Sequence, residues 1–246
     1  MEIKRILVSQ PEPANDKSPY FNLAKKNDLT VDFRPFIKVE GVPAKEFRQQ
    51  KIDILKHTAV IFTSRTAVDH FFRISKEMKL NIPETMKYFC ISEAIAFYLQ
   101  KYIVYRKRKI FYGKGKFDDL IEVLVKNKEE SFFVPFADAH KQEIPRKLKK
   151  HKLKFSKSVL YKTVSTDLSD LADVNYDILV FYSPSGIKSL LHNFPDFEQN
   201  NTKIASFGNH TAKAVKDAGL RLDIQAPMPK APSMTMAIET YLSKNI

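Results

Sequence analysis

Short runs of β-branched and aromatic residues alternate, along most of the chain, with segments whose apolar residues recur every three or four positions. The short runs read as strands buried on both faces. The periodic segments read as amphipathic helices laid over them, and together they predict a parallel sheet crossed by helices. Strands are predicted over residues 6–8, 31–39, 59–62, 88–91, 132–134, 155–164, 178–182, 203–207 and 222–225. Helices are predicted over 67–78, 94–101, 117–125, 142–150, 186–194, 210–218 and 233–242.

The pattern also repeats. Residues 58–102 align with 176–219 as strand, hydroxyl cluster, helix, strand, small residue and helix. Phe62-Thr63-Ser64-Arg65 and Ile91-Ser92-Glu93-Ala94 in the first copy correspond to Tyr182-Ser183-Pro184-Ser185-Gly186 and Phe207-Gly208-Asn209-His210-Thr211 in the second. A later landmark, Gly115-Lys116-Phe117, takes the place of Ala231-Pro232-Ser233. Between the copies, stretches 31–39 and 155–165 exceed the usual strand of about five or six residues, so each is long enough to serve two sheets. The expected fold is α/β, with two related parallel-sheet domains. Residues 1–36 and 165–246 form the first, and residues 37–164 are inserted into it as the second.

Charge narrows the partner rather than the fold. With 41 Lys and Arg against 28 Asp and Glu, the net charge of +13 draws in anions. Nucleic acid, an anionic membrane and a small polyanion all satisfy that demand. The basic runs 101–109 and 146–154 are interleaved with Tyr, Ile, Leu and Phe and read as solvated faces. No window approaches the roughly 18 apolar residues that a membrane span needs. The N-terminal apolar run is too short for a signal sequence and lacks a small-residue cleavage site. Cys90, the only cysteine, lies in an apolar run and is expected to be a buried thiol with no disulfide. A cytoplasmic chain is expected.

In open parallel sheets, ligands gather at the carboxyl ends of strands, where helix N-termini present free amides to anions. Thr63, Ser64, Ser183, Ser185, Asn209 and Thr211 each follow a predicted strand and precede a helix, and are expected to cap it while its amides face a carboxylate. Arg65, Gly208 and His210 share those turns, Ser92 and Ser233 stand at two further helix starts, and Gln10 follows the first strand. Other chemistries lack their patterns. The six glycines form no G-x-G-x-x-G, and Gly113-Lys114-Gly115-Lys116 has neither the spacing nor the hydroxyl of a P-loop. The histidines show no metal-ligand spacing, so no metal is expected, and His57, His70, His140, His151 and His192 read as surface or boundary residues. No G-x-S-x-G elbow is present. Tyr161, on the second long strand, reads equally as a proton donor or as an amphipathic packing residue.

Taken together, these segments resemble the uroporphyrinogen-III synthase family from Ile6 onward. The most specific stretch is Lys203-Ile204-Ala205-Ser206-Phe207-Gly208-Asn209-His210-Thr211-Ala212, which is similar to the family's strand and Gly-x-x-Thr-Ala turn. Pro232-Ser233, Val180-Phe181-Tyr182-Ser183-Pro184-Ser185-Gly186, Ile61-Phe62-Thr63-Ser64 and Val159-Leu160-Tyr161-Lys162-Thr163 match further segments. Two departures stand out. Ser9-Gln10-Pro11 replaces the family's Thr-Arg-Pro, and Ser92-Glu93-Ala94-Ile95-Ala96 replaces its first Gly-x-x-Thr-Ala.

The resemblance implies two flavodoxin-like domains joined by a two-stranded linker, with a cleft that binds hydroxymethylbilane, a linear tetrapyrrole carrying eight carboxylates. It further implies a cofactor-free lyase that eliminates water, inverts the terminal pyrrole and closes the ring to uroporphyrinogen III, a step of heme biosynthesis. Tyr161 becomes the candidate catalytic acid, and the turn residues named above become substrate contacts. The implied partner is this polycarboxylate, for a monomer requiring neither nucleic acid nor membrane. A non-catalytic anion-binding relic of the same fold and a basic nucleic-acid-binding module remain as alternatives.

Overall fold

The computed structural model describes residues 3–138 and 142–244, which leaves His140 outside the described residues. The chain opens with β1 (Arg5–Val8), α1 (Pro19–Asn27) and β2 (Thr30–Phe33). It continues through β3 (Ile37–Gly41), α2 (Ala44–Gln49), β4 (Ala59–Phe62), α3 (Arg65–Glu77), β5 (Lys87–Cys90) and α4 (Glu93–Tyr98). Then come β6 (Ile110–Tyr112), α5 (Phe117–Lys126), β7 (Ser131–Ala137), α6 (Glu143–Lys150) and β8 (Lys154–Ser165). It ends with β9 (Ile178–Phe181), α7 (Pro184–Asn193), β10 (Lys203–Phe207), α8 (Asn209–Asp217), β11 (Ile224–Ala226) and α9 (Met234–Lys244). The fold is mixed α/β, built on two sheets dominated by parallel pairing.

The chain divides into two compact units, residues 1–38 with 164–246 and residues 39–163. In the first unit the sheet runs β11-β10-β9-β1-β2. Numbered along the unit's own chain this is 2-1-3-4-5, the flavodoxin-like order, which reverses between β1 and β9. In the second unit, five of the strands run β8-β7-β4-β5-β6, and β3 lies beyond β8. That is the same order begun at its third strand, with the reversal between β7 and β4. Each sheet alternates its side chains between two layers. In the second unit Val60 and Phe62 pack under α3 and α4, while Ala59 and Ile61 pack against α5 and α6. In the first unit Ile6 and Val8 face α1 and α9, while Leu7 faces α7 and α8.

Four features depart from the sequence expectation. The stretch 31–39 is two strands, not one. Pro35 has no N–H to give a ladder, and the chain leaves one sheet at Phe33 and enters the next at Ile37. By contrast β8 is continuous over 12 residues, as its pattern predicts. Strand β6 lies just past the basic run 101–109, and helices α1 and α2 are further additions. Ser18 caps α1 and Pro19 opens it, a start signal present in the sequence. Cys90 is fully buried as expected, and burial pushes its thiol up to about 12.

Candidate functional site

In the second unit the reversal point brings together the ends of β4 and β7, with β8 alongside. Ser64 has extended φ and ψ, and its Oγ accepts the Ala67 N–H at 3.0 Å, capping α3. The Tyr161 hydroxyl lies 3.3 Å from that same Oγ. Either oxygen can be the donor in this contact, and where the serine gives its proton to the phenol oxygen the phenol proton is left to be given outward. Tyr161 reaches this place through a bulge. Phe136 faces Val159 and Ala137 faces Tyr161, so Leu160 is an extra residue in β8. The Asp138 N–H donates to the Tyr161 carbonyl at 3.1 Å and fixes the backbone there. His70 stacks on the Tyr161 ring, with centroids 5.0 Å apart and planes 15° from parallel.

Beside this, Arg65 begins α3 and lays its guanidinium over the Tyr98 ring at 5.3 Å. The Tyr98 hydroxyl is 2.9 Å from both Asp69 oxygens, and Lys101 and Tyr102 also donate to that carboxylate. Burial pushes the Asp69 carboxyl up, but the bonds from Tyr102, Lys101 and Tyr98 together outweigh it and hold it below its usual range. Arg65 forms no ion pair with a carboxylate among the described residues.

The Ser92 turn is built differently. Ser92 precedes α4 without a side-chain cap bond, and Glu93 in the first turn accepts the Tyr112 hydroxyl at 2.9 Å. A carboxylate already occupies that helix start. Gly113 and Gly115 donate to the carbonyls of Cys90 and Ile91, which closes the loop over the turn.

In the first unit, Ser183 caps α7 through the Gly186 N–H at 3.2 Å, with Pro184 in the first helical position and Ser185 after it. The Tyr182 and Tyr20 hydroxyls meet at 2.8 Å. Burial is the first cause that raises both phenols, so both stay protonated at neutral pH. Gly208 precedes α8 at φ 86° and ψ 149°, a conformation that is nearly confined to glycine, and its N–H donates to the Ala226 carbonyl. It offers no side-chain cap, so the amides of Asn209, His210 and Thr211 find no acceptor among the described residues. Ser233 Oγ accepts the Met236 N–H at 3.3 Å, and Gln10 is exposed past β1.

These placements correct the capping expectation. Of its six residues only Ser64 and Ser183 cap with their side chains. Thr63 stands one residue too early, and Ser185, Asn209 and Thr211 lie inside first turns because α7 and α8 start earlier than their periodicity suggests. Thr211 is also buried, at 2% exposure. His57 is no surface residue: it is 8% exposed, its Nδ1 is 2.9 Å from the Asp53 carbonyl, and its ring packs on Phe133. His70, expected only as a surface or boundary residue, stands at the site on the helix that Ser64 caps. Among the described residues no group of His, Cys, Asp and Glu is gathered as metal ligands.

Comparison with known proteins gives this geometry its context. The family model for uroporphyrinogen-III synthase HemD matches residues 19–236. No curated protein sequence matches the chain. Among solved structures, the uroporphyrinogen-III synthetase of Helicobacter pylori superposes with a TM-score of 0.61 at 20% identity, over 98% of this chain and 100% of that one. A mutant uroporphyrinogen III synthase from the extremely thermophilic bacterium Thermus thermophilus gives a TM-score of 0.52 at 16% identity, over 98% and 99%. At such identities the structures speak for the fold, and the family model, which spans most of the sequence, decides the assignment. The chain belongs to the uroporphyrinogen-III synthase family.

Proposed function

We propose that Tyr161 is the proton donor in this family's reaction, the cyclisation of hydroxymethylbilane to uroporphyrinogen III with loss of water. A leaving hydroxyl needs a proton, and a phenol at neutral pH holds one. The observation that carries the reading is the Tyr161 hydroxyl 3.3 Å from Ser64 Oγ, at the point where the strand order of the second unit reverses. A serine proton turned toward the phenol oxygen would also stabilise the phenolate left after transfer.

Thr63, Ser64 and Arg65 in the second unit, and Ser183, Ser185, Gly208, Asn209 and His210 in the first, are proposed to contact the substrate's acid groups. Thr211 in the α8 turn, Ser233 before α9 and Gln10 past β1 are proposed as further substrate contacts, and Ser92 contributes least because Glu93 stands beside it. The net charge of +13 supports this reading, since a cationic protein raises the local concentration of a polycarboxylate. The reaction is assigned to a cytoplasmic monomer, with fractionation and sedimentation as the checks. No described helix is long and apolar enough to cross a membrane.

The test is an assay on hydroxymethylbilane that scores the type III isomer against the type I isomer formed without enzyme. Tyr161→Phe is expected to lower kcat at least tenfold with little change in KM, within the roughly 10²–10⁴-fold typical of general-acid help. A variant with wild-type kcat across neutral pH would make Tyr161 a packing residue.

A further inference from the structure

The ring lying on Tyr161 is itself held from behind. Arg73 Nε donates to His70 Nδ1 at 3.1 Å. The same guanidinium donates through Nη2 to the carbonyls of Val42 and Leu160, at 2.8 and 3.2 Å, and through Nη1 to Glu77 at 2.6 Å. Arg73 is therefore pinned to the strand segment that carries Tyr161, because Leu160 is the bulge residue immediately before it. Gly41 makes room for this: a Cβ there would lie 2.5 Å from the Arg73 guanidinium. The resulting chain runs Glu77, Arg73, His70, Tyr161, Ser64, within the second unit.

We infer that His70 is a positioning residue for Tyr161, a neutral imidazole clamped by Arg73 whose face fixes the phenol against Ser64. This rests on the reading of Tyr161 as proton donor. An arginine is always a donor, so Nδ1 must be an acceptor and the ring's proton sits on Nε2. Protonating Nδ1 would turn its lone pair into an N–H aimed at the Arg73 N–H, place two cations together and release the stack. Asp69, Arg73 and Glu77 face the ring from its own helix, and Tyr161 faces it from β8. Burial first, and then Arg73, lower the His70 pKa from its usual 6.5, against the opposing pull of Asp69 and Glu77. At neutral pH the clamp is therefore closed.

The role separates from simple packing by its pH dependence. His70→Ala should lower kcat about tenfold with KM within about twofold, the scale of a misplaced catalytic group. His70→Phe keeps a ring on the phenol and should recover most of that loss. The wild-type kcat should fall on the acid side of the usual imidazole range, as the imidazole charges, and that acid limb should be absent in His70→Phe. Coincident acid limbs in the two proteins would overturn the inference.

A double-mutant cycle separates the two layers. If Tyr161→Phe alone has wild-type kcat, the proton-donor reading fails and the positioning role fails with it. If Tyr161→Phe is impaired but His70→Ala still costs its full factor in that background, Tyr161 stands and His70 does not act through it. The expected outcome is that His70→Ala costs nothing further once the phenol hydroxyl is gone. Thermal melts of each variant at neutral pH check that it is folded.

Discussion

The two units share one strand order, yet their carboxyl edges are furnished differently. In the first unit the Gly208 turn leaves three amides of α8 open, whereas the matching Ser92 turn of the second unit holds the Glu93 carboxylate in its first turn. The phenols are also distributed differently. Phe33 ends β2 opposite Val8, whereas Tyr161 lies opposite Ala137 on β8, the strand in the matching place. The first unit instead pairs the buried Tyr20 with the half-buried Tyr182, one hydroxyl donating to the other. Repetition of a fold has supplied two edges of one kind. One of them leaves three helix amides without an acceptor among the described residues, and the other sets the Tyr161 hydroxyl beside Ser64.

The largest expected effect sets the two kinds of phenol against each other. Tyr161→Phe should lose at least tenfold in kcat, whereas Tyr182→Phe, whose hydroxyl only meets Tyr20, should change kcat less than threefold by the same isomer assay. Equal losses would erase the distinction between the units. A second contrast concerns the turns. Gly208→Ala forces a side chain onto a φ of 86° and should cost about 1–3 kcal/mol by denaturant unfolding, with a several-fold rise in KM. Ser92→Ala removes a hydroxyl that makes no cap bond and should stay within about 0.5 kcal/mol and near wild-type KM.

A third contrast is thermodynamic. A histidine whose folded pKa is lowered binds its proton more readily in the unfolded chain, so stability falls as pH drops from 6.5 toward the folded value. Melting temperatures of wild type and His70→Phe, measured at pH 7.5 and 5.5, should diverge at the acid end, where the wild type loses more. Parallel shifts would mean that His70 is no more buried in the folded protein than out of it.

Much of this architecture was legible because parallel strands buried on both faces leave unmistakable apolar runs, and because the strand-turn-helix unit recurs. Residues 59–62 and 203–207 read as strands with the bounds the structure has. What was hidden depends on long-range pairing. Pro35 splits a run that composition alone joins, and β6 gains its place only by pairing with β5 next to a basic run. At the site, Ser64 and Ser183 were readable as caps from local order. His70 was not readable as a site residue, because its meaning comes from a ring 91 positions away and from the Leu160 carbonyl that anchors Arg73. Local rules place a helix start, whereas a bulge and a stack are decided by strands far apart in sequence.

The smallest expected effect is also the most discriminating, because it touches neither Tyr161 nor His70. Gly41 lies in β3 with no positive φ, so alanine suits its backbone, and the three atoms nearest to a Cβ there all belong to the Arg73 guanidinium, at 2.5–2.7 Å. The guanidinium ends a flexible side chain but is held by its hydrogen bonds to Val42 and Leu160, so Gly41→Ala should move it aside at a cost of about 1 kcal/mol. The moved guanidinium lengthens its bonds to Val42 and Leu160 and loosens its hold on His70 Nδ1. With the clamp slackened, the imidazole should take up a proton more readily, and the acid limb of the kcat profile should shift to higher pH. At pH 8 the ring is neutral in either case, so the rate there should remain within about twofold of wild type. If the acid limb of Gly41→Ala stays where it is in the wild type, Arg73 braces the strands without governing His70, and the chain of contacts to the phenol begins at the imidazole.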